Sequence, residues 1–543
     1  MIFSRKTWFF FLALVSSLAL QPTLSQAATF CVNEQADDGT GNAGDCPDAA
    51  CTGSAGTCSL RDAIENADSN PDSDTITFSS SLTSPLMIEV GDSIGLPTIF
   101  FPVQIVGPGA DVLTVAIGNG SNNVFWFDAE EQPRSYSISG LTITNLGDSG
   151  FPDKIIQHRG TLTISDTVIT GRGRGISCFG EELTIQNSSI VDNFTSSGDG
   201  SSGAGLNFGG GVDNGILTIT NSTFSGNQKL NTSGIDVDEG GGAIGIFDGS
   251  SLFDGTDFNI SLTNVTFSGN QTNENGGGIW ISDDCAECGS AAAVIHATLT
   301  NVTLAANDAD LNGDGGEGGG IFVSLSNPGA SVVLNNTLIA DNVTGGAGAS
   351  DCSVNGISLG SNGFNLVEDD TDCAGLSGSD ITGQDPLLAA LSLNPPGTTE
   401  TQALDSNSPA INAGDNADCP DTDQRGVPRP QGSACDIGAY EAVVCGDGTV
   451  GPGEECEPSN ECCTDLCLFA DAGTSCDDGN PDTFDEECDG SGVCEGIPDG
   501  GGDLDGGGCS LSPRSNPAWS LSSILAAALG LMIFRRLRLS ARE

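Results

Sequence analysis

The sequence predicts an all-β fold, a parallel β-helix (solenoid) with an N-terminal cap and a C-terminal disulfide-rich segment. Three observations predict it. A short strand-like unit recurs through the middle of the chain, 77 glycines occur among 543 residues, and the 20 cysteines are grouped mainly before and after the repeats. Glycine at that level, with only 6 % aromatic residues, suits many tight turns between short strands and does not suit a helix bundle.

The first 27 residues carry the pattern of a secretory signal. Arg5 and Lys6 form a charged start, Trp8 to Leu20 an apolar stretch, and Ser25-Gln26-Ala27 a small-x-small cleavage site, so the mature chain is expected to begin at Ala28. Export places the cysteines in an oxidising compartment where disulfides persist. Residues 28–130 then form a cap and first strands. Cys31, Cys46, Cys51 and Cys58 are an even set suited to two disulfides. Ser59 and Asp62 have the spacing of a helix-opening capping box, and Leu60 and Ile64 share one face, which predicts a helix covering the first coil.

Residues 131–350 hold the repeats. Segments starting at Leu162, Leu183, Leu217, Ser261, Thr298 and Val333 are versions of one unit. Each places apolar residues at alternate positions, as in a half-buried strand, then a polar corner residue, then a further apolar position and a closing Asn or Gly. The corner series is Asp166, Asn187, Asn221, Asn264, Asn301 and Asn336. Its spacings of 21, 34, 43, 37 and 35 describe a coil of about 20 residues with insertions of varying length. Asparagine tolerates left-handed backbone at such corners, and stacked side chains can bond between coils, so Asn187, Asn221, Asn264, Asn301 and Asn336 are predicted to form a structural ladder. Four of them, Asn187, Asn221, Asn264 and Asn301, also stand in Asn-x-Ser/Thr sequons, for which glycosylation is the competing explanation.

Glycine triplets at 240–242, 276–278 and 318–320 precede short apolar segments and permit a sharp turn back into the solenoid wall. No Lys-Ser/Thr follows them, which argues against a phosphate-binding loop. The pairs Phe224…Asn227 and Phe267…Asn270, with Gly241 to Ile244 and degraded copies at Leu304…Asn307 and Ile339…Asn342, resemble the FxxN and GGAI repeats of polymorphic outer-membrane proteins. That resemblance covers roughly residues 185–345 and implies a right-handed parallel β-helix with surface or adhesive use.

Two further resemblances flank the repeats. Cys58 to Ile64 with Asp74 to Phe78 resembles the CSLREA domain, with Asp62 where that motif has Glu. Within 351–443, Asp385 to Leu388, Ser408 to Gly414, Asp423 to Gly426 and Asp436 to Glu441 resemble the choice-of-anchor Q domain, with Asn412 in place of the usual Asp. Together they imply an exported β-helix protein followed by an anchor. Residues 444–497 carry eight cysteines with almost no apolar core and need four disulfides as staples. Residues 498–508 form a Gly/Asp linker.

Residues 509–543 combine Cys509, an apolar stretch from Trp519 to Phe534, and Arg535, Arg536 and Arg538. The stretch is shorter than the roughly 20 residues of a comfortable span. Its basic flank would stay cytoplasmic, leaving the rest of the chain outside. The pattern resembles Cys-containing C-terminal sorting signals of Gram-negative bacteria, which implies processing or anchoring at Cys509 by a sorting protease; a permanent membrane anchor is the alternative.

Charge bounds the partners. The formal net charge is −57, and setting aside the basic residues near the two termini leaves nine Lys and Arg in the middle. Nucleic-acid binding is thereby excluded. Extracellular glycan, protein or surface ligands, the export machinery and a membrane through the C-terminal segment are the expected partners. Calcium is the ion the composition favours: Asp478, Asn480, Asp482 and Asp485 are closely spaced hard ligands, though the run lacks the glycine and closing Glu of an EF-hand loop.

No catalytic constellation is visible. A polyuronide lyase wants cationic clamps, yet between Arg174 and Arg425 the basic side chains are Lys229 and His296 alone. Asp283-Asp284 offers adjacent carboxylates, expected to be solvated loop residues, and His158 and His296 lie in unrelated contexts. Cys285 and Cys288 suggest a small loop disulfide, and Cys178 a buried thiol. The expected function is that of an exported surface protein, an adhesin or structural binding molecule at the cell surface, outer membrane or extracellular space. A polysaccharide-active β-helix enzyme with an atypical site is the alternative.

Overall fold

The computed structural model describes residues 27–35, 46, 57–69, 71–80, 82, 86–90, 95–118, 123–129, 132–147, 154–196, 202–209, 214–230, 240–247, 257–283, 293–313, 315–345, 348–443, 456, 461–464, 469–477 and 483–498. They form a parallel β-helix. Each complete coil contributes one strand to each of three sheets. In the coil that opens at Thr161 these are Thr161–Ser165 in sheet 1, Val168–Arg172 in sheet 2 and Arg174–Cys178 in sheet 3, after which Glu182–Gln186 returns to sheet 1 one rung on. Sheet 3 has eight strands, from Asn123–Phe127 to Cys352–Asn355. Sheets 1 and 2 run continuously around one corner through the long strands Asn214–Ser225 and Asp257–Ser268.

The alternation seen in the sequence sets the register. Ile76, Ile105, Ile138, Ile164, Ile185, Ile219, Leu262, Leu299 and Leu334 pair rung to rung in sheet 1 and all point inward, essentially without exposure. Each such side chain is worth about 1.5–3 kcal/mol relative to an exposed one. A one-residue slip would turn the whole row outward, so the register is strongly specified. Phe224 and Phe267 continue the stacking in sheet 2, with ring centroids 5.2 Å apart.

The corner between sheets 1 and 2 is where the sequence placed it. Asp166, Asn187, Asn221, Asn264, Asn301 and Asn336 all have φ between 47° and 53°. Left-handed backbone of this kind is what asparagine and aspartate accept at least cost. The corner side chains, however, join only in pairs: Asn187 Nδ2 lies 3.5 Å from Asp166 Oδ1, Asn264 Nδ2 3.3 Å from Asn221 Oδ1, and Asn336 Nδ2 3.4 Å from Asn301 Oδ1.

A continuous ladder stands one corner further on, at the closing asparagines. Asn193, Asn227, Asn270, Asn307 and Asn342 each donate Nδ2 to the Oδ1 of the next, at 2.8 to 2.9 Å, and Asn342 ends the series on Asp351 Oδ1. Each acceptor oxygen also takes the backbone N–H of the preceding ladder residue. The second amide hydrogen returns to a carbonyl of the previous coil, as from Asn270 to Phe224 O at 2.9 Å. All five are buried to within 1 %. Burial outweighs the hydrogen bonds at Asp351 and pushes its carboxyl up to about 6.

The glycine triplets close this corner. Gly318 has φ +65°, and a Cβ on Gly320 would stand 2.8 Å from Asn342 Nδ2 and 2.6 Å from the Asp351 carbonyl oxygen. The turn thus needs a left-handed first residue and almost no side chain above the ladder, after which Ile321 can enter the core.

At the N-terminal end, helix α1 (Leu60–Ala67) begins at the capping box, with Ser59 Oγ accepting from Asp62 N and the Asp62 carboxylate accepting from Ser59 N. Leu60, Ala63, Ile64 and Ala67 cover the first strands, Thr29–Val32 and Asp74–Phe78. Cys46–Cys58 is one disulfide here, and Cys31 is also bridged. The stack extends beyond residue 350 through Cys352–Asn355 and Leu366–Val367, tied by Cys352–Cys373. The chain divides into two compact units after Ala470, within the cysteine-rich region. In the second unit Thr483–Cys488 pairs antiparallel with Cys494–Pro498, and Cys476 is bridged to Cys494. Among the described residues no helix is long and apolar enough to cross a membrane.

The inner ladder carries a prediction. Asn270→Ala strands the Asn227 backbone N–H and the Phe224 carbonyl in a dry corner, and should cost about 2–5 kcal/mol. Asn187→Gly, which preserves the left-handed corner and loses one long bond at the surface, should cost under about 0.5 kcal/mol. Urea unfolding of the two variants beside the parent checks both values.

Candidate functional site: the corner stripe and the outer face of sheet 1

The predicted corner asparagines turn out to hold another part of the chain. Residues 395–441 fold back along the corner between sheets 1 and 2. Asn264 Nδ2 donates to Thr422 O at 2.8 Å, Asn301 Nδ2 to Asp436 O and Gly438 O at 3.1 Å each, and Asn336 exchanges bonds with the Asp415 backbone. The residues two places on join in: Thr266 Oγ1 donates to Gln424 Oε1, Gln424 Nε2 donates to Thr223 Oγ1, and Ala439 N donates to Thr303 Oγ1. Asn264 and Asn336 thus bond both to a corner neighbour and to the docked segment. The docking also decides the meaning of two sequons. Asn264 and Asn301 are 3 % and 0 % exposed, with the docked segment where a glycan would have to be.

The docked segment is built around buried charge. Asp423 and Arg425 pair at 2.7 Å, Arg429 and Glu441 at 2.8 Å, and Arg425 lies over the Tyr440 ring. Both Asp436 oxygens accept backbone N–H groups, from Asn412 and Ala442, yet burial, with Glu441 beside it, pushes that carboxyl up to about 7. These residues make up the motifs at 423–426 and 436–441, so their evident work is to hold the segment in shape against the coils.

The outer face of sheet 1 is different in kind. Three rows of outward side chains stack in register: Ser135, Thr161, Glu182, Ile216, Asn259, His296 and Ser331; Ser137, Thr163, Thr184, Thr218, Ser261, Thr298 and Val333; and Ser139, Ser165, Gln186, Thr220, Thr263, Thr300 and Asn335. Rungs are about 4.8 Å apart and successive outward positions about 6.6 Å apart. Most of these groups are hydroxyls, and Glu182 is the one carboxylate among them. Between rungs, the bonds joining these side chains are His296 Nδ1 to Ser331 Oγ at 2.9 Å and Asn335 Nδ2 to Thr300 Oγ1 at 3.2 Å. In a chain of net charge −57 this is a flat, regular and almost uncharged surface.

The residues weighed for chemistry do not converge. Asp283 is a correction: it is 3 % exposed and not solvated, and its carboxylate accepts the backbone N–H groups of Ser326 and Asn327 at 2.7 to 2.8 Å, fixing a turn of the next coil. His158 points into the core, where burial lowers its pKa to about 3, and neither ring nitrogen has a partner. His296 lies on the outside of sheet 1. Cys178 is a free, buried thiol beside His158 in the register, and burial raises its pKa to about 12. Lys229 is fully buried and Arg174 is 2 % exposed, so neither can clamp a uronate. Among the described residues no three carboxylate and imidazole groups come together. Asp284, Cys285, Cys288, Asp478, Asn480, Asp482, Cys509 and the terminal apolar segments lie outside the described residues; the backbone of Asp485 lies in the strand Thr483–Cys488.

No family model matches the chain, and no curated protein matches it. Among solved structures, pectate lyase Pel9A is similar at 17 % identity and a TM-score of 0.41, over 76 % of this chain and 97 % of that one. The A-module of the mannuronan C-5 epimerase AlgE6 from Azotobacter vinelandii is similar at 12 % identity and a TM-score of 0.20, over 60 % of this chain and 91 % of that one. Both are polysaccharide-active proteins. At these identities and TM-scores neither likeness carries an argument about this chain.

Sequence reasoning missed the inner ladder as a ladder, although its asparagines were quoted as motif ends, because spacing alone does not say which of two asparagines per coil faces inward. It also missed the hydroxyl lattice. The signal was present in the Thr-x-Thr and Thr-x-Ser runs at 161–165, 218–220 and 298–300, but these become a surface only once the coils stack.

Asp436 sets a pH dependence for the docked segment. Its folded pKa of about 7 lies above the ordinary aspartate value of about 3.9, so its contribution to stability is fully present below about pH 4 and is lost as pH rises through 7. Exchange of the Gly438 and Ala439 amides, corrected for intrinsic rate, should therefore accelerate between pH 6 and pH 8. Asp436→Asn should flatten that rise.

Proposed function

We propose that this protein is an exported, non-catalytic surface protein, an adhesin or structural binding molecule, that lies against a neutral extracellular polymer through the outer face of sheet 1. The observation that carries this reading is the hydroxyl-rich lattice, with Glu182 its one carboxylate, maintained on a chain of net charge −57. Scattered carboxylates would repel polyanions and keep the protein soluble, while the one flat face remains free of that repulsion. A rigid solenoid holds the lattice without entropic cost at the moment of contact.

Export fits the N-terminal geometry. Cleavage after Ala27 would leave the Ala28 nitrogen as an ammonium group 2.7 Å from Oδ1 of the fully buried Asp74. A charge-assisted bond there is stronger than the amide bond of the unprocessed chain. The mature N-terminus is therefore expected at Ala28, and a chain retaining Ala27 should melt lower; N-terminal sequencing and thermal unfolding check this.

Adsorption to insoluble cellulose and chitin tests the binding role. The parent should adsorb with little dependence on salt, and Thr218→Glu combined with Thr263→Glu should reduce adsorption at least tenfold without changing the melting temperature. The enzyme alternative is examined in the same samples, where release of reducing or unsaturated sugar ends would replace the binding reading by a catalytic one.

A further inference from the structure

Two of the three outward rows on sheet 1 are more regular than contact with a polymer requires. The second row, Ser137 to Val333, and the third, Ser139 to Asn335, contain no ionisable side chain, on a chain with 73 acidic residues. Six successive hydroxyls fill the second row from Ser137 to Thr298, and the third row breaks the same series from Ser139 to Thr300 only at Gln186. Register is unshifted in each of the strand pairings that build them. From Ser137 to Val333 is six strand spacings, about 29 Å.

The face is open. Ser261 is exposed, and Thr163, Thr184, Thr218 and Thr298 are half-buried. The two bonds between outward side chains of neighbouring rungs, at His296 and Asn335, leave the second row untouched. Its hydroxyls therefore face solvent, each able both to donate and to accept. Threonine is stiff at its first side-chain torsion, so its hydroxyl and methyl repeat with the backbone that carries them.

We propose that the second and third rows form an ice-binding face, through which the protein adsorbs to growing ice crystals. The oxygens on a prism face of ice lie on a rectangular net whose short edge is close to the rung repeat. Its long edge is near the distance between outward positions on a strand, and the match along the rungs is the closer. Holding a water on the lattice costs up to about 2 kcal/mol of immobilisation entropy in the liquid. Water already fixed in a crystal has lost that freedom, so the ordered hydroxyls favour the solid over the liquid. A carboxylate pressed against ice would lose solvation without gaining a partner, and these two rows have none. The inference shares with the binding role above only the exposure of this face, and it needs no polymer.

Partition into ice tests this on the full chain. A dilute solution is frozen slowly onto a cooled probe, beside an acidic globular protein of similar size, and the protein in the solid and in the remaining liquid is measured. A growing crystal rejects ordinary solutes. The parent should be enriched in the solid, and it should keep small ice crystals from coarsening during annealing just below the melting point. Thr218→Glu combined with Thr263→Glu should lower the fraction in the solid at least tenfold while far-ultraviolet dichroism and melting temperature show a folded chain. Leu393→Glu, at an exposed site outside the lattice, should partition as the parent does. The proposal is overturned if the parent is rejected like the control protein, or if the folded double variant enters the solid as the parent does. Adsorption to cellulose and chitin is measured in liquid water. Rejection from ice with that adsorption intact therefore overturns the ice-binding face and leaves the polymer-binding role standing; partition into ice without adsorption does the reverse.

Discussion

The buried asparagine ladder is the interaction on which the rest of the molecule depends. A solenoid must turn its chain at each corner, and each turn leaves backbone groups that the sheets cannot satisfy. Asn193, Asn227, Asn270, Asn307 and Asn342 meet that need from inside: every carboxamide links one coil to the next and also closes a backbone group of the previous coil. An aliphatic residue would fill the same space and leave the backbone unpaired. A charged one would bring a desolvation cost that few partners could offset, as the raised pKa of Asp351 at the ladder's end illustrates.

Much of the repeat grammar follows from that constraint. The glycine triplet exists because the chain passes directly over the ladder amides and must then reverse into sheet 3. The aromatic or aliphatic residue three places before each ladder asparagine fills the core beside it, as Phe224 and Phe267 do. Insertions between coils can vary in length because they leave the corner untouched, and loop length carries only a slowly rising entropic cost.

The outer surfaces are then free to differ. The corner between sheets 1 and 2 is covered by residues 395–441, which use asparagine and threonine from the sequons as docking groups. The outside of sheet 1 is a hydroxyl lattice, and the outside of sheet 3 holds the rings of Trp126 and Trp280 with the unpaired carboxamide of Asn207. Three faces of one repeat thus carry three chemistries, because inward positions are held by packing while outward positions answer only to what touches them.

The sequence by itself determined the coil: alternating aliphatic residues, left-handed corners at Asp166 through Asn336 and the capping box at Ser59 are local patterns, and local patterns are legible without coordinates. What tertiary structure decided is everything that needs two coils or two distant segments at once. Which asparagine of each coil pairs inward, how Gln424 meets Thr223 and Thr266, that Asp283 is a buried backbone acceptor, and that separate Thr-x-Thr runs form one surface all depend on rung-to-rung register. That register brings residues dozens to hundreds of positions apart within a few ångströms, and no window along the chain contains both partners.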